Sequence, residues 1–319
     1  IRTETGRIAF VTGALVDEVV KVRPITYNEK IIKGETLEVL EASDKRVEPK
    51  CVHFDVCGGC QIQYMEPAHQ TAAKQSALNS LFQKQLGLTD IPWQPAITGP
   101  DWHYRRTARL SIWFDSDTSL RLGFRQAKSK QIVDVEQCPI LVQSLTNLLP
   151  SLKTTIQSLT SRKSITHIQL YALDNCDTVI FRVVNPLNSK DKEILNLYAQ
   201  AQNINLILEH EDHKFEQISL DNISAHQADL SKLQLKYKPQ WLKPIDKLLL
   251  DPARDGAYDV VKKIPLLAPN TILYVSCNPS TMVRDIKELQ QSGYKLSKLG
   301  LLNMFPHTAH IEAMALLEK

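Results

Sequence analysis

Two short apolar runs near the end of the chain each stop at a chemically reactive side chain, and no other feature restricts the fold as much. Lys247-Leu248-Leu249-Leu250 runs into Asp251, and Thr271-Ile272-Leu273-Tyr274-Val275 runs into Ser276-Cys277. Neither run alternates apolar with polar residues, so each reads as a strand covered on both faces, as strands of parallel sheets are. Residues 258–263 between them have helical spacing, and a further helix opens near Ser280 and continues to about Gln291. Strands and helices in alternation predict an α/β, Rossmann-like, doubly wound parallel sheet. Functional groups in such sheets collect at the carboxyl ends of strands, where Asp251 and Cys277 both fall.

At 319 residues the chain has room for two or three domains. Residues 1–48 alternate short apolar runs (8–11, 19–22 and 37–40) with turns marked by Gly6, Gly13 and Gly34. That spacing predicts a small OB-like β-barrel. Residues 49–218 form a second unit of α+β character. It has a helical pattern from Pro67 to about Leu86, then strands at 104–114, 120–136, 165–171 and 178–184. Residues 219–319 hold the two reactive strand ends. The net charge of +3 permits a nucleic-acid partner without requiring one. No apolar run nears the roughly 18 residues of a membrane helix, and Ile1-Arg2-Thr3-Glu4 has no signal-like character. Cytoplasm is the expected location. Glycine is scarce, 11 of 319 residues against a usual share of about 7%, which suggests that a glycine-rich loop is missing.

Cys51, Cys57 and Cys60 fall within ten residues, in Cys51-x5-Cys57-Gly58-Gly59-Cys60. Without a secretory context, clustered thiols point to metal or catalysis rather than disulfides. The paired glycines permit a tight loop that brings the sulfurs to one centre. Cys138, before Pro139, is the natural fourth ligand. Four thiolates suit zinc or an iron–sulfur cluster. Zinc sites usually come as two C-x2-C halves, so the lone fourth cysteine favours a [4Fe-4S] cluster. Reduced structural thiols without metal are the plain alternative.

Cys277 precedes a helix start, where the helix dipole favours an anion. A thiolate there can add to C6 of a pyrimidine, although a single cysteine is more often core. Asp251-Pro252-Ala253-Arg254 supplies a carboxylate at the neighbouring strand end, or simply a helix cap with a following proline. Met304-Phe305-Pro306-His307-Thr308-Ala309-His310-Ile311-Glu312 brings two histidines and a glutamate together. Each fragment alone is ambiguous; their conjunction is informative.

Together these residues resemble the RNA uracil-C5 methyltransferases that use S-adenosylmethionine (SAM), most closely the branch acting on 23S ribosomal RNA. Gly13-Ala14-Leu15 and Ser43-x2-Arg46-Val47-x-Pro49 look like that branch's N-terminal TRAM domain, an RNA-binding OB-like barrel. Cys-Gly-Gly-Cys-Gln at 57–61 and Cys138-Pro139-Ile140-Leu141 look like its cluster motifs. The resemblance therefore implies Cys51, Cys57, Cys60 and Cys138 as [4Fe-4S] ligands. Tyr104-Arg105-Arg106-x-Ala108-Arg109-Leu110 and Gly123-Phe124-Arg125 are similar to its central strands. It further implies Cys277 as nucleophile, Glu312 in His-x-Glu as base, and Asp251 as a SAM-site aspartate. The implied protein is a monomer with a SAM-dependent methyltransferase sheet, acting on a single-stranded or flipped-out uridine of 23S ribosomal RNA. Arg105, Arg109, Arg125, Lys128 and Lys130 would then meet phosphates or bases, or else form a solvated strand face.

The chain departs from the family at its glycine-rich SAM loop, Asp-Leu-Phe-Cys-Gly-x-Gly, and at the Phe-x-Gln-x-Asn segment before it. Both are absent near 220–222. Phe215-Glu216-Gln217 imitates the latter by coincidence. Asn222-Ile223-Ser224 resumes the family pattern, with Asp229 as an adenine-side contact. The alternatives are a transfer RNA methyltransferase with extra domains, and a non-catalytic RNA-binding iron–sulfur protein.

Overall fold

Three strands lead the computed structural model, which describes residues 6–115, 119–174, 176–210, 215–217 and 245–319. They are β1 (Ile8–Thr12), β2 (Val19–Tyr27) and β3 (Ile31–Glu41). The middle strand, β3, runs antiparallel to β2 and parallel to β1. The expected barrel does not form among the described residues. Three strands in an open row are too few to curl round and pair their own edges, and Phe10, Ile25, Tyr27 and Leu40 stay exposed. Arg46 ties this sheet to the segment that bears the first cysteines. Its guanidinium pairs with the Glu18 carboxylate, donates to the Gly13 carbonyl at 2.8 Å and lies 4.7 Å from the centre of the Tyr64 ring. The Arg46 hydrogen bond holds the Glu18 carboxyl down at about 2.

The next elements are α1 (Pro67–Leu86), β4 (Ile97–Thr98), β5 (Thr107–Phe114), β6 (Leu120–Arg125), β7 (Ile132–Asp134) and α2 (Gln143–Ser158). They are followed by β8 (Ile165–Ala172), β9 (Asp177–Val183), α3 (Ser189–Gln202), β10 (Asn205–Glu209) and β11 (Phe215–Gln217). Seven of these strands make one sheet, ordered β11-β10-β9-β8-β5-β6-β7. Its strands alternate: Ala108, Leu110, Ile168, Leu170, Val179 and Phe181 are buried beneath α2 and α3, and the residues between them face outward. Phe215–Gln217 is the edge strand of this sheet, antiparallel to β10.

The last part contains β12 (Lys247–Leu250), α4 (Tyr258–Val261), α5 (Ile264–Leu267), β13 (Thr271–Ser276), α6 (Pro279–Gln291), β14 (Lys295–Asn303) and β15 (Glu312–Glu318). Its sheet runs β12-β13-β15-β14-β4. It is mixed, which corrects the expected all-parallel sheet. β12 and β13 are parallel, but the chain returns from β14 as β15, which slots antiparallel between β13 and β14. A second correction concerns α1 and β4, which sequence order groups with the central unit. Leu78 and Phe82 of α1 pack in the core of this last sheet, and β4 extends it beside β14. No helix of the described residues is long and apolar enough to cross a membrane.

Candidate active site

Cys277 lies in the two-residue joint between β13 and α6. Asn278 caps the helix, its side chain accepting from the Ser280 amide, and Pro279 opens the first turn. The same Asn278 amide donates to the Arg254 carbonyl at 2.9 Å, and Thr281 Oγ1 donates there at 3.3 Å. The loop that carries Asp251 is thus clamped to the start of α6. Asp285, fully buried, accepts from Tyr274 Oη at 2.6 Å and from the Ala257 amide at 2.7 Å, with Arg284 closing the charge. Gly256 makes this approach possible. Its φ is +79°, and a Cβ there would lie 2.7 Å from Arg284 Nη2 and 2.8 Å from Asp285 Oδ2.

Glu312 is the first residue of β15, whose register against β13 pairs Ser276 with Ala313. Cys277 follows Ser276 and Glu312 precedes Ala313, so the two residues flank the same end of this strand pair. Glu312 Oε2 is buried without a hydrogen-bond partner among the described residues. Burial, and then the negative charge of Asp251, push its carboxyl above the usual 4.5. A carboxylate oxygen that is desolvated and unpartnered is available to accept a proton.

The loop before Glu312 is held by the cysteine-rich segment. Gln61 and Ile62 amides donate to the His307 carbonyl at 2.9 and 3.1 Å. The Gln61 side chain accepts from the Ala309 amide at 3.2 Å and donates to the Gly58 carbonyl at 3.0 Å. His307 is buried and stacks on Trp102 at 3.9 Å. Lys74, from α1, donates to the Phe305 carbonyl and to Asn303 Oδ1, both at 2.9 Å. Sequence reasoning missed Gln61, Lys74 and Asp285. The glutamine's only signal was its place directly after Cys60.

Cys51, Cys57, Cys60 and Cys138 line one pocket, all as free thiols. Burial raises the Cys60 thiol to about 11 against the pull of Gln63, with Cys138, Cys51 and Cys57 adding to the rise. Gly58 is favoured by close approach rather than by a positive φ. A Cβ there would meet the Arg125 carbonyl at 3.0 Å, where the Gly58 amide already donates. Among the described residues no three His, Cys, Asp or Glu side chains are set to hold a single metal ion.

Gly59, Gln61, Arg105, Arg125, Lys130 and His310 line a groove of about 880 Å³. Lys128 also borders it; Arg109 projects from the outer face of β5. Asp251 is exposed at the end of β12. Asp229 lies outside the described residues, as do Asn222, Ile223 and Ser224.

A thiol and a carboxylate at neighbouring strand ends of an α/β sheet are the groups that an enzyme forming a covalent adduct with its substrate would need. A family model described as tRNA (Uracil-5-)-methyltransferase matches residues 230–319. The chain is 31% identical to the 23S rRNA (uracil(1939)-C(5))-methyltransferase RlmD of Shewanella woodyi, covering 100% of this chain and 92% of that protein. It is 30% identical to the Shewanella baltica protein of the same name, again over 100% and 92%. The alignment with the first relative runs over 409 positions against 319 residues here, so that protein carries stretches this chain does not match. The fold is that of the Pyrococcus abyssi tRNA (uracil-54, C5)-methyltransferase solved with S-adenosyl-L-homocysteine, with TM-score 0.62, 17% identity and coverage of 97% and 94%. The chain belongs to the family of RNA uracil-C5 methyltransferases.

Proposed function

We propose that this protein methylates C5 of a uridine in 23S ribosomal RNA, with SAM as donor. The observation that supports the reading is the pairing of β13 with β15, which brings the strand ends bearing Cys277 and Glu312 side by side, with Glu312 Oε2 buried and unpartnered among the described residues. The Cys277 thiolate adds to C6 of the uracil and drives its electron pair toward C5. Bound SAM supplies an electrophilic methyl group at that carbon. Glu312 then takes the C5 proton, the C5–H pair re-forms the C5=C6 bond, and the Cys277 thiolate leaves. Asp251, at the strand end beside Glu312, would hold the cofactor, and Asp229 is assigned to its adenine side. Reaching C6 requires the base to leave its stack.

The four thiols fit a [4Fe-4S] cluster better than zinc. They share one pocket, and a fourth thiol standing alone in the sequence departs from the paired C-x2-C halves usual for zinc. The first unit, residues 1–48, is assigned to RNA contact as an open TRAM-like sheet.

RNA carrying 5-fluorouridine tests the activity, because its C5 has no proton to remove. Incubated with SAM and 23S or transfer RNA so substituted, the protein should form a denaturation-stable adduct with the 23S transcript. Cys277→Ser should abolish it. Trapping of transfer RNA alone would move the substrate to that class, and trapping by Cys277→Ser would refute the nucleophile.

A further inference from the structure

The outer face of the seven-stranded sheet carries an arrangement that the methyl-transfer chemistry does not use. Strand alternation points Arg109 and Trp113 of β5, His167 and Tyr171 of β8, and Arg182 of β9 to this one side. Register places Ser111 opposite His167, and His167 opposite Arg182. Trp113 is 59% exposed, unusual for the largest apolar side chain in mid-sheet. Beside it, Trp113, Arg125, Lys130, Lys163 and His167 border a groove of about 1030 Å³. That exceeds the usual ~300–1000 Å³ of a small-molecule site and is open along the sheet.

Charge on this face is positive. His167 is held below the usual imidazole value by burial and then by Arg109, Arg125 and Arg182. The acids nearby are already engaged. Asp115 pairs with Arg121, and Glu209 pairs with Arg182 and accepts from Gln169. No ion pair of the described residues takes up Arg109, Arg125 or Lys130. Arg125 and Lys130 also border the groove that ends at His310, two residues before Glu312. The same two cations thus border both grooves.

We infer that the outer face of the central sheet is a platform for a single-stranded stretch of the RNA substrate flanking the target uridine, with Trp113 stacking on a base. This rests on the proposed activity for its choice of RNA. Exposed aromatics on a half-open antiparallel sheet, set among cations, give stacking and phosphate contact in one surface.

The test is binding of fluorescent oligouridylate to the full chain, with polyphosphate as a polyanion lacking bases. Base stacking is worth about 1–3 kcal/mol, so Trp113→Ala should weaken oligouridylate binding about tenfold and leave polyphosphate unchanged. Trp113→Phe should stay within about threefold. Arg125→Gln should weaken both ligands and flatten the salt dependence by about one phosphate contact. Trp113→Ala that binds oligouridylate within twofold of the parent, at an unchanged melting temperature, overturns the platform. So does Arg125→Gln that leaves the binding of both ligands unchanged. If the Trp113 dependence holds but no RNA is methylated, the activity fails and the platform stands. If methylation proceeds and the Trp113 variants bind normally, the platform alone fails.

Discussion

Glu312 carries a consequence that pH reveals. Its carboxyl is raised above 4.5 by burial first and by Asp251 second. The base acts only when ionised, so the rate of proton removal should climb with pH through that raised value and be lost as pH falls below it. Asp251→Asn removes the repelling charge but not the burial. The acid limb of a single-turnover pH profile should therefore move to lower pH, whatever happens to the rate at the plateau. An unmoved limb would mean that Asp251 is not the charge Glu312 feels. At this scale the sequence was largely legible, because Cys277 and Glu312 are unusual residues at unusual places. The adjacency of the strands that carry them was not legible. It depends on β15 running antiparallel beside β13, a pairing that a strand–helix alternation does not encode.

At the scale of elements, two joints fix the site. Gly256 permits the Asp251 loop to press on α6, and its φ of +79° with a Cβ contact of 2.7 Å makes any side chain costly. Gly256→Ala should destabilise by roughly 1–3 kcal/mol, read by chemical denaturation. Gln61 is the second joint, bridging the Cys57–Cys60 loop to the segment that delivers Glu312. Losing one such hydrogen bond costs about 0.5–1.5 kcal/mol. Gln61→Ala should thus lower kcat roughly three- to tenfold, with KM for RNA little changed and covalent adduct building up on ordinary RNA. Gln61→Glu, which keeps the acceptor for the Ala309 amide, should recover much of the rate. A loss confined to melting temperature would reduce Gln61 to a structural role. Most elements are legible in the sequence because periodicity is local. The partner of α1 is not, since Leu78 and Phe82 declare that one face is buried without saying against which sheet.

For the whole molecule, the half of the last sheet that holds Cys277 and Glu312 stands complete among the described residues, whereas the glycine-rich SAM loop of the family has no counterpart in the sequence. The two halves of the chemistry can be separated by experiment. Addition of Cys277 to C6 turns C5 into a carbanion-like centre that picks up a solvent proton; Glu312 can then remove the original one, and no methyl group is needed. RNA labelled with tritium at C5 of uridine should therefore release tritium to water in the absence of SAM, at a rate well below that of methylation. Cys277→Ser should eliminate the release, and Glu312→Gln should slow it by about two orders of magnitude or more. A thermal-shift titration with SAM reports the other half, since a ligand at 100 times its Kd stabilises by about 2.7 kcal/mol. Tritium release with a SAM-induced shift is the outcome expected of a complete enzyme. Tritium release without any shift would locate the defect in cofactor binding and leave the nucleophile and base intact, while no release from the parent protein would remove Cys277 and Glu312 from the catalytic roles their register supports.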